Sequence, residues 1–377
     1  MTYDETELAL LALPVSADLE ALVPETSRID EDATVIAANY RLIRFKGRLM
    51  IEVPEPYPHF IQLTKEHYDR IAYRLLAGAK RSHINDVFWH LTCMAPDLSD
   101  NEHLVLFGSL GGTRTRLTVW DMETLEVRHD IAPRDCVHRS PYPMSRNDEP
   151  VPFIMQLANY NQGLYDDIMQ SLAPLVMAKK PDGVIWWLGD NANGKADLVE
   201  ALHKIFPDQL AELSLKTLIG GRYTLGLRNK LGNVAAGGIE HIEKMEVYKT
   251  VASHETLHLH RYHSQTGIEV QGTAHHIFVA DTAPTFNPTR WQSVSWRTHP
   301  IWFNQQLVTG RVRRLTNEAL GQLIAELCRY AVQIRQRGYR YEWSEATQAA
   351  KATYYPVKRQ PNEVRSRTSQ TPIPFRW

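Results

Sequence analysis

The sequence predicts an α/β protein with a mainly parallel central sheet, and two apolar runs carry most of that prediction. Residues 184–188 (VIWWL) and 276–280 (HIFVA) have the length and composition of buried strands. A glycine-bounded loop follows the first run, and then comes a stretch with helical apolar spacing, Leu198, Leu202 and Ile205. A strand–loop–helix unit accompanied by further short strands and helices is typical of a parallel α/β sheet.

Composition and charge narrow the class of protein. The chain has 377 residues, 43% of them hydrophobic and 23% charged, which is enough for two or three globular domains. It contains no 18-residue apolar run and no signal-like N-terminus, so the sequence indicates neither membrane insertion nor secretion. Cys93, Cys136 and Cys328 are scattered, as expected of reduced thiols in a cytoplasmic protein.

The net charge of −1 conceals an acidic N-terminal stretch and a basic C-terminal one. A basic end suits a partner with a phosphate backbone, and a solvated surface is the alternative. Changes of pattern divide the chain into five segments. They are an acidic, flexible arm (1–39), a small α+β domain (40–150), a domain with the glycine loop (151–305), a helical region (306–360) and a basic tail (361–377).

Local patterns predict the elements within these segments. Lys46-Gly47 is expected to turn a hairpin, and alternating residues predict a second hairpin over 257–271. Asp121 is expected to be a turn residue rather than a catalyst. Further strands are expected at 104–108, 115–120, 213–218 and 231–236, and helices at 66–76, 153–177, 316–337 and 344–354.

The glycine loop fits the phosphate-binding pattern G-x-x-x-x-G-K. Its residues are Gly189, Asp190, Asn191, Ala192, Asn193, Gly194 and Lys195, followed by Ala196. The glycines would let backbone N–H groups surround a phosphate, and the helix N-terminus and Lys195 add positive charge. The pattern wants Ser or Thr at position 196 to coordinate Mg²⁺. A glycine-rich turn without a ligand is the alternative.

Three further residues are candidates for nucleotide chemistry. Glu240 is the nearest carboxylate after the strand at 231–236, where an acidic pair would hold Mg²⁺. Asp281 ends the apolar run at 276–280, where a polar side chain would sense the γ-phosphate. Arg297 would act as an arginine finger on a neighbouring subunit, and a plain surface charge is the competing interpretation.

Histidines around the second hairpin allow three interpretations. A metal site would use His258 and His260 on one strand with His275 and His276 on the strand expected to face it, but no acidic or thiol ligand accompanies them. Contacts to a phosphate backbone would use His260, Arg261 and His263 near the hairpin tip. An ordinary hairpin surface is the third.

Taken together, these motifs resemble those of the superfamily 3 helicases, which are AAA+-like ring motors, and specifically the phage and plasmid primase-helicase branch. The stretches that carry the resemblance are GDNANGKADL, VYKTVASHETLHLHRYHSQTG, HHIFVADTAPTF and WRTHPIWF, and it extends over roughly residues 65 to 365. The fold it implies is a P-loop AAA+-like motor domain, preceded by a small α+β domain and followed by a C-terminal helical region.

The resemblance implies a homo-hexamer that threads single-stranded DNA and binds ATP and Mg²⁺ between subunits, in the cytoplasm of a bacterial host. By position, Gly189, Asn193, Gly194 and Lys195 would hold phosphates, with Lys195, Glu240, Asp281 and Arg297 in catalytic roles. Lys249, His260, Arg261 and His263 would contact DNA. The sequence contains no primase motif, so a separate primase or polymerase is an expected partner.

Three functions therefore compete. The first is an ATP-dependent DNA helicase or translocase in the replication of a phage or mobile element. The second is a DNA-binding or loading subunit with little or no ATPase activity, because Ala196, Gly237-Gly238 and Asp281 depart from the family pattern. The third is an NTP-dependent enzyme that acts on a small molecule. No motif downstream of the glycine loop indicates a substrate pocket for such an enzyme.

Overall fold

The computed structural model describes residues 29–53, 59–76, 78–108, 117–145, 149–220, 224–236, 241–260, 267–270, 272, 274–286, 292–303, 307 and 315–355. Within these ranges the chain forms an α/β protein whose central sheet is parallel. Most of the expected acidic arm and the whole basic tail lie outside the described residues.

The N-terminal unit is a three-stranded antiparallel sheet with three helices. Its elements are α1 (Ile29–Asn39), β1 (Leu42–Phe45), β2 (Arg48–Val53), β3 (His59–Gln62), α2 (Lys65–Leu75) and α3 (Arg81–Met94). The strands are ordered β1-β2-β3. Lys46 and Gly47 have φ of 48° and 71°, the left-handed pair that a two-residue hairpin turn requires, so the predicted hairpin is confirmed.

Helix α1 differs from the flexible arm expected through residue 39. Ile29, Ala33 and Ile36 recur at helical spacing, and the last two are buried against α3. The carboxylate of Asp32 lies 2.5 Å from Nε2 of His83 and is itself buried. The acidic residues near position 30 suggested a flexible arm. In the structure they lie in the first turn of α1, where the helix dipole favours carboxylates.

A second, four-stranded sheet follows. It contains β4 (Leu104–Phe107), β5 (Thr118–Asp121), β6 (Glu126–Arg128) and β7 (His138–Ser140), in the order β6-β5-β4-β7. Asp121 accepts the backbone N–H groups of Glu123 and Thr124, which confirms it as a turn residue. The indole of Trp120 donates to the carbonyl of Val176 at 2.9 Å, so this sheet shares its core with the following domain.

The central domain is built on five parallel strands with helices on both faces. In chain order its elements up to the middle of the domain are α4 (Pro152–Leu157), α5 (Gln162–Leu172), β8 (Val184–Leu188), α6 (Lys195–Ile205), β9 (Leu210–Ala211), α7 (Leu215–Gly220), β10 (Gly232–Ala236), β11 (His241–Ile242) and α8 (Met245–Ala252). Ile185 and Trp187 pack with α5 and α6 on one face, and Trp186 packs near α8 on the other.

The remaining elements complete the sheet and cover it. They are β12 (Leu257–His260), β13 (Gly267–Val270), β14 (His275–Val279), β15 (Thr285–Phe286), α9 (Gln292–Ser295), β16 (Thr298–Trp302), α10 (Asn317–Gln336) and α11 (Glu345–Tyr354). Thr316 and Ser344 cap the two last helices through their side chains, and Gly338 (φ 69°) follows α10. Both helices are confirmed.

The order of the central strands, β16-β8-β14-β10-β9, creates a topological switch point. The connection from β8 runs past β14 and β10 to reach β9, whereas the connection from β14 runs past β8 to reach β16. Ligands of open parallel sheets bind where neighbouring strands send their connections in opposite directions, outside the carboxyl ends. The fold therefore points to a crevice at the ends of β8 and β14.

Two predicted elements differ from the structure. Residues 213–218 were expected as a strand, yet Leu215–Gly220 is a helix, because Ser214 accepts the N–H of Thr217 at 3.2 Å and so starts a helical turn. The helical run expected over 153–177 is broken at Asn159 and Tyr160, which both have positive φ (51° and 56°). Among the described helices, none combines the length and apolar character that a bilayer crossing requires.

Candidate functional site

The loop that follows β8 adopts its shape because two glycines stand where other residues would not fit. Gly189 has φ of 128°, and a Cβ placed there would lie 2.5 Å from the carbonyl oxygen of Phe303. Gly194, at φ 84°, is the N-cap of α6. The loop therefore leaves the sheet sharply and directs the N-terminus of α6 toward the switch-point crevice.

Asn193 stabilises this loop through two hydrogen bonds of its side chain. Its side chain is 3% exposed, its Nδ2 donates to the carbonyl of Phe303 at 3.4 Å, and its Oδ1 accepts the N–H of Lys195 at 3.3 Å. The N–H of Leu307 donates to the carbonyl of Ala192 at 2.8 Å. The segment after β16 thus holds the loop through backbone groups, which carry no side-chain signal in the sequence.

The ammonium of Lys195 lies between the carboxyl ends of β8 and β14. It donates to the carbonyl of Gly189 and, at 3.3 Å, to that of Ala280, and the residue is 6% exposed. Burial lowers the pKa of Lys195, while the charges of Asp281 and Asp190 act against that shift. Among the described residues no carboxylate lies within 4.0 Å of the ammonium, so a buried cation faces the crevice without a direct anionic partner.

The other predicted residues of the crevice lie at its mouth. Asp190, Asn191 and Asp281 are exposed, and so is Ala196 in the first turn of α6. The methyl group of Ala196 presents no oxygen there. Glu240 lies outside the described residues. The structure therefore brings together the loop, Lys195 and Asp281, and gives no placement for the expected acidic residue.

Arg297 lies at the other end of the sheet. It precedes β16, and Thr298 of that strand pairs with Val184 at the start of β8. Its guanidinium donates to Oγ of Ser253 at 2.9 Å and to the carbonyl of Ser293 at 3.2 Å. The length of the five-residue strand β8, about 16 Å, therefore separates it from the loop of its own chain.

Two of the four predicted nucleic-acid residues, Lys249 and His260, belong to the described part of the chain. Strands β12 and β13 pair antiparallel as expected, and His260 ends β12. Lys249 lies on α8, where its ammonium pairs with Glu246 at 2.9 Å. Arg261 and His263 lie outside the described residues. In the described part of the chain, the ammonium of Lys195 donates to carbonyls of the glycine loop and of the residue that follows β14, not to Lys249 or the paired strands β12 and β13.

The expected facing of the histidines is wrong. β12 pairs with β13, whereas His275 and His276 belong to β14 in the central sheet. Both are buried: Nε2 of His275 lies 2.7 Å from the carbonyl of Ser171, and His276 stacks on His254 with ring centroids 6.2 Å apart. In the described part of the chain, no three His, Cys, Asp or Glu side chains are grouped to hold a metal ion.

The strand order and the helices on both faces define a doubly wound α/β protein with a topological switch point between β8 and β14. No protein-family model and no curated protein matches the sequence. Two solved apo structures of the NrS-1 C-terminal region are similar in fold, each with a TM-score of 0.51 over 88% of this chain and 76% of that one. Their sequence identities to this chain are only 15% and 16%, so the similarity concerns the fold alone.

Proposed function

We propose that this chain is an ATP-dependent DNA helicase or translocase that acts in the replication of a phage or mobile element. The observation that carries the proposal is the position of Lys195, a buried ammonium without a close carboxylate among the described residues, at the switch point of a parallel sheet. The phosphates of a nucleoside triphosphate would supply the negative charge that this cation lacks. The resemblance to superfamily 3 helicases supports the same class, and the fold similarity to the NrS-1 C-terminal region supports the α/β architecture that this class needs.

The γ- and β-phosphates would occupy the space between the loop and the end of β14. There the N-terminus of α6 contributes its partial positive charge, and Lys195 would exchange the carbonyls of Gly189 and Ala280 for phosphate oxygens. Asn193 keeps the loop fixed to the backbone at Phe303 during this exchange. Binding therefore requires the reorientation of one side chain and no rearrangement of the sheet.

The described residues fit a triphosphate better than they fit Mg²⁺. Magnesium requires oxygen ligands in near-octahedral geometry, and Ala196 provides none where a hydroxyl would stand. Asp190 and Asp281 are exposed carboxylates at the mouth and belong to no cluster of three potential ligands among the described residues. The described residues of the crevice are accordingly proposed to bind and orient phosphates.

DNA would be contacted on the side of the β12–β13 hairpin. His260, Arg261 and His263 are the residues proposed for its tip, with Lys249 on the preceding helix, and their contacts would be to phosphates rather than bases. Arg297, held at the far end of the sheet, suits a role at a neighbouring subunit's crevice rather than its own. A ring of subunits is therefore part of the proposal.

The test is ATP hydrolysis measured with and without single-stranded DNA, alongside the mass of the assembly in solution. The proposal expects hydrolysis that DNA stimulates and that Lys195→Ala abolishes, in a particle of about six chains. Lys204→Ala, on the same helix and paired with Glu200 at the surface, is the matched control and keeps wild-type rates. If DNA stimulates no ATP hydrolysis at any metal concentration, the proposal of an ATP-dependent helicase or translocase is wrong.

The missing hydroxyl at position 196 favours a second candidate, a DNA-binding or loading subunit that binds ATP and hydrolyses little of it. Loss of a positioned catalytic group costs about 10²–10³ in rate. Under this alternative, DNA binding weakens steeply with salt and Ala196→Ser leaves hydrolysis near zero. If Ala196→Ser produces strong hydrolysis, the site is otherwise complete and the motor interpretation prevails.

A further inference from the structure

A second group of cations lies at the end of the sheet opposite the crevice. Lys180 precedes β8, Lys230 precedes β10, and Lys46 belongs to the β1–β2 turn. Their side chains line one cavity of about 90 Å³, which His138 and Asn229 also line. The length of β8, about 16 Å, separates this cavity from Lys195, and the proposed function gives it no role.

Lys180 is a partly buried member of this group. Its ammonium donates to the carbonyls of Pro174 at 2.6 Å and Met177 at 2.7 Å, and it has no carboxylate partner among the described residues. Burial lowers the pKa of Lys180 to about 7. A partly buried ammonium whose hydrogen bonds go only to backbone carbonyls lacks a countercharge, and an anion would supply it.

The other lining groups leave hydrogen-bond donors for such an anion. Lys46 is paired with Glu102, a half-exposed residue that also lines the cavity, and Lys230 donates to the carbonyl of Asp208. Each ammonium has three N–H donors, so at least one on each lysine remains. Asn229 also lines the cavity, and its Oδ1 is buried without a hydrogen-bond partner in the described chain, so no bond holds that oxygen in place.

Charge and size together identify the ligand class. Three lysines and two carboxylates line the cavity. One carboxylate, Glu102, is paired with Lys46, and the other, Glu123, is exposed to solvent. The volume is well below the roughly 300–1,000 Å³ of sites that enclose a whole drug-sized ligand. A single tetrahedral dianion matches both properties, because it offers several acceptor oxygens and up to two negative charges in a compact group.

We propose that the cavity lined by Lys46, Lys180 and Lys230 binds a single phosphate group. Lys46 comes from the N-terminal sheet, whereas Lys180 and Lys230 lead into the central one, so a bound phosphate connects the two units. The same chemistry is offered by free phosphate and by the 5′-phosphate end of a DNA strand. A backbone phosphodiester carries less charge and has a substituent on both sides.

Calorimetric titration of the full chain with inorganic phosphate tests the proposal. Lys195→Ala serves as the background, so that the crevice does not contribute. One phosphate is expected to bind, and Lys180→Met, which keeps the length of the apolar stem, should weaken its binding at least ten-fold. Lys204→Met, at an exposed and paired lysine, should leave it unchanged. Equal affinity in Lys180→Met, or no binding to the background protein, overturns the proposal.

Two further arms make the result independent of one variant. If Lys180→Met fails to fold, Lys230→Met replaces it with the same expectation. Competition by a single-stranded oligonucleotide with a 5′-phosphate, compared with its 5′-hydroxyl counterpart, distinguishes the sources. Stronger competition by the phosphorylated strand assigns the cavity to DNA ends, and equal competition assigns it to free phosphate. Because Lys195 is absent throughout, failure here leaves the ATP proposal untouched.

Discussion

The ammonium of Lys195 lies 3.3 Å from the carbonyl oxygen of Ala280, which joins the loop after β8 to the end of β14. One side chain thus links two neighbouring strands whose connections leave in opposite directions. An anion that binds this ammonium would therefore affect the carboxyl ends of both β8 and β14. This link places a buried cation at the switch point, where the proposed nucleotide site lies.

The backbone at Gly189 should tolerate no side chain. Gly189→Ala places a Cβ at φ 128° and 2.5 Å from the carbonyl of Phe303, so the loop must move. We expect a loss of more than about 2 kcal/mol in the free energy of unfolding, measured by urea denaturation. Gly338 is the matched control, because it also has positive φ (69°) but a Cβ added there would meet no described atom within 4 Å.

Gly338→Ala should cost only about 1 kcal/mol, the usual penalty of left-handed backbone for a residue with a Cβ. Equal losses in the two variants would show that the contact with Phe303 is unimportant to the loop.

Asn193 should stabilise the loop through both ends of its carboxamide. Asn193→Ala removes the bond to Phe303 and the acceptor of the Lys195 N–H, and we expect a loss of about 1–3 kcal/mol in the free energy of unfolding. Asn193→Asp keeps the acceptor and loses the donor. It should be at least as destabilising, because a buried carboxylate then faces a carbonyl oxygen. Wild-type stability in Asn193→Asp contradicts this account.

Buried histidines should make the protein sensitive to acid. Burial, together with the nearby charges of His254 and Lys180, lowers the pKa of His276 to about 3. Below the unfolded pKa of about 6.5, the unfolded chain binds a proton that the folded chain does not, so stability falls as the pH falls. This contribution continues to be lost until the pH reaches the folded pKa.

His276→Phe should remove this part of the dependence. We expect the slope of unfolding free energy between about pH 6 and pH 4.5 to decrease by up to about 1.4 kcal/mol per pH unit. Denaturant titrations at several pH values measure it. An unchanged slope would mean that His276 is protonated in the folded protein.

The local parts of the fold could be predicted from the sequence. The run at 184–188 is apolar on every residue and ends at Gly189, which defines strand and loop without outside information. The apolar face of 316–337, which ends before Gly338, and the N-cap residue Ser344 indicated the last two helices. By contrast, 213–218 (LSLKTL) has apolar residues only at 213, 215 and 218, a stretch too short for its spacing to separate a strand from a helix.

Relationships between distant residues could not be predicted. Asn193 meets Phe303 across 110 positions of sequence, and it does so through a backbone carbonyl that leaves no trace in residue identity. The histidines of 275–276 were expected opposite β12, but strand order decides which strands face each other, and that order is set by the packing of the whole sheet. The same holds for Arg297, whose distance from the loop depends on a parallel register.

Titration of the full chain with ATP tests the central claim most directly. Charge-assisted hydrogen bonds contribute about 1.5–3 kcal/mol, so Lys195→Ala should weaken ATP binding roughly 10- to 150-fold. Lys204→Ala, exposed on the same helix, should bind as the wild type does. A wild-type protein that binds ATP, with affinity lost only in Lys195→Ala, is the predicted result. Equal ATP affinity in both variants and the wild type would contradict the assignment of the crevice as a nucleotide site.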